Sequence, residues 1–85
     1  MKHAGPAALD SLKPLMERIR SIPSLKEKSR GVFYAKSRAV LHFHEDAAGL
    51  FADLRAPDAS DFERFKVDNA AARMALIGRL KERFS

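Results

Sequence analysis

Between Leu41 and Arg55 apolar side chains recur at every second position on both sides of a single short turn, Asp46-Ala47-Ala48-Gly49. Strict period 2 is the pattern of strands with one covered face, and the turn residues fold the run back on itself as a hairpin. The register then follows. Glu45 faces Leu50, Phe43 faces Ala52 and Leu41 faces Leu54, so Leu41, Phe43, Leu50, Ala52 and Leu54 share one apolar face. Val40, His42, His44, Phe51, Asp53 and Arg55 fall on the other, with His42 opposite Asp53 and His44 opposite Phe51. Slipping either strand by one residue would turn the whole apolar set to water, so few other folds are open to this stretch.

A hairpin with one apolar face needs a cover, and the flanking segments have the form of helices. Leu9, Leu12, Leu15, Met16, Ile19 and Ile22 recur at helical spacing, with Asp10 or Ser11 as the expected N-cap, Pro14 in the first turn and Pro23 as the stop. Near the other end Ala70, Met74, Ile77, Leu80 and Phe84 form a second stripe behind an Asp68 or Asn69 cap. Val32, Phe33 and Tyr34 favour a strand. A two-residue loop at Lys36-Ser37 would put Val32 and Tyr34 on the face of Leu41, whereas a three-residue loop would put Phe33 and Ala35 there. Phe62–Val67 reads as a fourth strand or an edge segment, Ala56–Asp61 as a loop, and Ser24–Arg30 as a charged connector with room for one helical turn. The expected fold is α+β, an antiparallel sheet of three to four strands with N- and C-terminal helices on one face. Residues 1–8 are expected to fray, and 9–85 to form one domain.

The 85 residues include no cysteine, so the core must come from aliphatic and phenylalanine packing, and thiolate metal sites and thiol chemistry are excluded. The first residues hold no long apolar run; neither a signal peptide nor a membrane span is expected, and the chain reads as cytoplasmic. Its net charge of +5 is unevenly spread: residues 1–30 carry seven basic against three acidic side chains, and 31–67 five against six. Such a balance permits a polyanionic partner without requiring one.

Four readings of function compete. The leading one is a binding or interaction domain without catalytic machinery or cofactor, working through the outer face around His42, His44, Phe51, Asp53 and Arg55. A second is nucleic-acid binding through Lys26, Lys28, Arg30, Lys36 and Arg38, which gather beside the first hairpin with Phe33 or Tyr34 between them. A third is a metal protein or enzyme using His42, His44 and Asp53, since two histidines at i and i+2 on a strand point the same way and a carboxylate stands beside them. The fourth is a homodimer, closing over the outer face or a sheet edge. The run His42–Asp46 is superficially similar to the HxHxDH motif of metallo-β-lactamase-type hydrolases, but Ala47 stands where the last histidine belongs and the chain is too short for that fold. A His42–Asp53 pair is also two thirds of a hydrolase triad, yet no serine sits in a nucleophile turn: Ser37 and Ser60 lie in ordinary loops.

The blocks GVFY (from Gly31), LHFHED (from Leu41) and GLFADLR (from Gly49), followed by FERFKVDNAAARMALIGRL, resemble a group of short bacterial proteins. The resemblance covers nearly all of the chain after Leu12 and implies no activity. In element order alone the chain is also similar to helix-plus-sheet proteins of the MmcQ/YjbR type, often labelled DNA-binding, from which no functional residue transfers.

Overall fold

The hairpin forms in the register its alternation requires. A computed structural model describes residues 2–55 and 61–84, apart from the side chain of Lys2. In it Leu41 pairs with Leu54, His42 with Asp53, Phe43 with Ala52, His44 with Phe51 and Glu45 with Leu50. In chain order the elements are β1 (Lys2–His3), α1 (Pro6–Ser11), α2 (Lys13–Arg20), β2 (Leu25–Ser29), β3 (Val32–Ala35), β4 (Arg38–Asp46), β5 (Gly49–Arg55), β6 (Phe62–Lys66) and α3 (Ala70–Phe84). All pairings are antiparallel, and the sheet runs β2-β3-β4-β5-β6, with β1 added to β4.

The α+β class stands, but three to four strands was too few. One addition is β2, in the stretch expected to be a connector. Lys26, Glu27 and Lys28 hide its strand character, because a row of charges suits a sheet edge as well as a loop. Leu25 is buried, and Glu27 accepts hydrogen bonds from Arg20 Nε and from the Gly31 N–H. The other addition is β1. It lies in the stretch expected to fray, and the Ala4 N–H donates to the Phe43 carbonyl at 3.0 Å while the Gly5 N–H donates to Glu45 Oε2 at 2.6 Å.

The first hairpin combines the two expected registers. Its loop is two residues long, with Ala35 opposite Arg38 and Lys36 at φ 59°. A β-bulge at Val40 then shifts the pairing, so that Tyr34 faces Ala39 but Phe33 faces Leu41. Phe33 is therefore fully buried with Leu41, and Val40, expected on the outer face, is buried instead.

The N-terminal helix is two helices broken at Leu12, with Asp10 and Ser11 inside α1 rather than capping a later start. Leu9, Leu12, Met16 and Ile19 pack with Phe33, Leu41, Phe43, Ala52 and Leu54 in one core. On α3 the buried positions are Leu76, Ile77 and Leu80, while Met74 is 52% exposed, so the expected stripe is rotated. Asn69 caps α3 by accepting from the Ala72 N–H at 2.8 Å. The loop expected at Ala56–Asp61 lies outside the described residues except for Asp61. Among the described residues no helix is long and apolar enough to cross a membrane.

Glu27 ties β2 to α2 and supplies a pH dependence. Burial disfavours its charged form, but the Arg20 guanidinium and the Gly31 N–H outweigh burial and hold its pKa below the usual carboxylate value. A carboxylate lowered in the folded state stabilises that state above its unfolded pKa, and the contribution is lost as pH falls through the folded value. Glu27→Gln is expected to lower the urea midpoint at neutral pH, and the gap to wild type should close as pH falls below the ordinary carboxylate range. Urea titrations of both proteins across that range measure it.

Candidate functional site

Because the helices occupy one side of the sheet, the other side presents the side chains that alternation turns away from the core. Register sets them in rows. His42, Asp53 and Arg64 form one row across β4, β5 and β6; His3, His44, Phe51 and Lys66 form the next across β1, β4, β5 and β6. Arg55 pairs with Phe62 at the far end.

Asp53 is 5% exposed and is the one buried acidic group among the described residues. Arg64 clamps it with Nε on Oδ1 and Nη2 on Oδ2, both at 2.7 Å. That guanidinium holds the carboxyl below its ordinary range even though burial pushes the other way. A buried carboxylate on a polar face is thus neutralised by an arginine from the next strand. His42 lies opposite Asp53 in register as expected, but the close side-chain contact is diagonal, with His44 Nε2 3.3 Å from Asp53 Oδ2.

The rings of this face form an unbroken series. Phe62 meets His42 edge-on at 4.7 Å between centres, His42 and His44 are 4.7 Å apart, and His44 stacks on His3 at 4.6 Å. His44 lies opposite Phe51 in register, and its ring stacks on His3, which β1 brings alongside. Arg55 lies over Phe62 at 4.6 Å, and its Nε donates to the Ala39 carbonyl. The His42 pKa lies below its ordinary value, first because the ring is partly buried and next because His44 stands beside it. The two rings share one hydrogen bond, His44 Nε2 to His42 Nδ1, at 2.8 Å.

The five basic residues grouped in the sequence part company in space. Lys26 pairs with Tyr34 on β3, and Lys28 Nζ lies 4.9 Å from the Tyr34 ring centre, so both flank the outer face. Arg30 turns to the helices and bonds Asp10 on α1. Lys36 sits in the hairpin loop, and Arg38 is exposed at the start of β4. The face gains residues that sequence reasoning missed: His3, Phe62, Arg64 and Lys66. The last three had a signal, since alternation in Phe62–Val67 with Phe65 and Val67 inward already turns Phe62, Arg64 and Lys66 outward. His3 had none.

Of the set suggested for a metal, His42 and His44 are brought together, while both oxygens of Asp53 are taken by Arg64. His3 joins the two histidines instead, and one nitrogen from each ring lies within 4.8 Å of the others. No family model matches the chain, and no curated protein or solved structure shows significant similarity to it.

Proposed function

We propose that this is a binding domain whose working surface is the outer face of the sheet, and that its partner is a single-stranded nucleic acid. One observation carries the reading: a run of flat rings, Phe62 to His3, lies on a face bordered by cations. Register puts Lys26, Arg55, Arg64 and Lys66 on that face, with Lys28 beside Tyr34. Among the described residues the acids facing the same way are Asp46 and Asp53; Asp53 is paired with Arg64, and Asp68 lies 3.6 Å from Lys66 Nζ at the margin of the face. Unpaired bases present ring faces and their backbone presents phosphates, so single strands match both features at once. A second copy of the chain fits less well, because two faces of like charge repel when they meet. The reading is of binding and assigns no reaction.

The test is the anisotropy of a fluorescent oligothymidylate or oligouridylate titrated with the protein. Binding is expected at low salt, with log affinity falling linearly as log salt rises, by about 0.7 for each phosphate neutralised. Lys26→Ala should make that slope shallower by about 0.7. Phe62→Ala should weaken binding by roughly 5-fold or more with the slope unchanged, because stacking releases no counterions. No binding at low salt, or wild-type affinity in Phe62→Ala, overturns the proposal.

A further inference from the structure

The geometry points to a second site on this face: a transition-metal centre in which His3, His42 and His44 hold one divalent ion of the zinc class. It does not rest on the nucleic-acid reading, although its three histidines belong to the same run of rings, and it takes a different ligand.

His42 and His44 stand two residues apart on β4 and so project from the same side of the strand. β1 pairs with β4 so that His3 lies directly across from His44. The third imidazole therefore arrives from a part of the chain 39 positions away from His42. A tetrahedral ion with bonds of about 2.0–2.1 Å to imidazole nitrogen needs its nitrogens about 3.3 Å apart. Here one nitrogen from each ring lies within 4.8 Å of the other two, and the closest pair, His44 Nε2 and His42 Nδ1, is at 2.8 Å. Small rotations open the close pair and draw in the third ring. His3 is the exposed member, on a strand of two residues, and has the most room to turn.

The donor set suits the ion. Three imidazoles favour zinc, copper, iron or nickel over the oxygen-seeking magnesium and calcium. Three protein ligands leave a fourth tetrahedral position open to water or a ligand oxygen. Asp53 Oδ2 lies 3.3 Å from His44 Nε2, so its negative charge stands beside the proposed ion, and Arg64 holds that carboxylate in place. The hydrogen bond between His42 and His44 requires one proton between them; the ion would displace it, as metal binding to imidazole commonly does.

The experiment is calorimetric titration of zinc chloride into tag-free protein, with cobalt(II) as an absorbing substitute. One ion per chain is expected, and the cobalt form should show the intense visible bands of a tetrahedral site. His3→Ala removes an exposed side chain and should leave the circular dichroism spectrum unchanged, yet lower zinc affinity at least 10-fold. His44→Ala should lower it at least 100-fold. Should His44→Ala fail to fold, His3→Ala still decides. Absence of uptake by wild type at micromolar zinc, or wild-type affinity in His3→Ala, overturns the site. Neither result bears on oligonucleotide binding by metal-free protein, so the two proposals fail separately.

Discussion

Phe33→Ala is expected to cost about 3–5 kcal/mol of stability, whereas Tyr34→Ala next to it should cost only about 1 kcal/mol. Phe33 is fully buried against the helices, and truncation there leaves a cavity the surrounding side chains fill only in part. Tyr34 is half-buried on the opposite face, where it meets Lys28. A domain of this size has roughly 4–13 kcal/mol in all, so the first change consumes much of it. The order of the two effects depends on the bulge at Val40. Without that extra residue the two-residue loop would send Tyr34 inward and Phe33 out, and the costs would exchange. Urea denaturation of both variants measures them. Equal losses, or a larger loss at Tyr34, would contradict the register.

The second large effect is at Gly49. Its φ of 135° is a conformation that side-chain-bearing residues rarely adopt, and a Cβ there would run into both carboxylate oxygens of Asp68. That carboxylate accepts the Leu50 N–H at 2.8 Å, which locks the start of β5 to the approach to α3. Gly49→Ala should therefore combine backbone strain of about 1–3 kcal/mol with a disturbed hydrogen bond of about 1 kcal/mol, for roughly 2–4 kcal/mol altogether. The two parts separate in a double-mutant cycle. In an Asp68→Ala background the collision is gone while the strain remains, so Gly49→Ala should cost about 1 kcal/mol less there than in wild type. An unchanged cost would mean that Asp68 does not press on this turn.

These positions also mark how far the sequence could be read. The β4–β5 register was legible to the residue, because period 2 on both strands and one turn leave a single pairing that buries Leu41, Phe43 and Leu54 together. The bulge was not legible. Val40 next to Leu41 gives two adjacent apolar residues, and either can face the core until the partner strand is placed. The second strand was hidden because Lys26, Glu27 and Lys28 have the composition of a solvated loop, and only pairing with β3 reveals them as an edge. The outer face was legible as a location, through His42, His44, Asp53 and Arg55. Its charge neutralisation was not, since nothing local tells Asp53 that its partner is Arg64 rather than His42. His3 was invisible altogether, because no spacing rule connects it to a strand that begins 35 positions later.

The central strand β4 is nine residues long, but β3 covers only its first part, and β1 completes the same side through His3 and the Ala4 amide. Deleting the first five residues would strip that side of β4 from Phe43 to Glu45. It would leave a row of unsatisfied main-chain donors and acceptors in the middle of the sheet rather than at its charged margin. Such a notch admits a foreign strand, and the nearest supply in a concentrated solution is another truncated chain. The pairing of Lys2–His3 and the Ala4 amide with β4 thus fills a gap that would otherwise lie open to another strand.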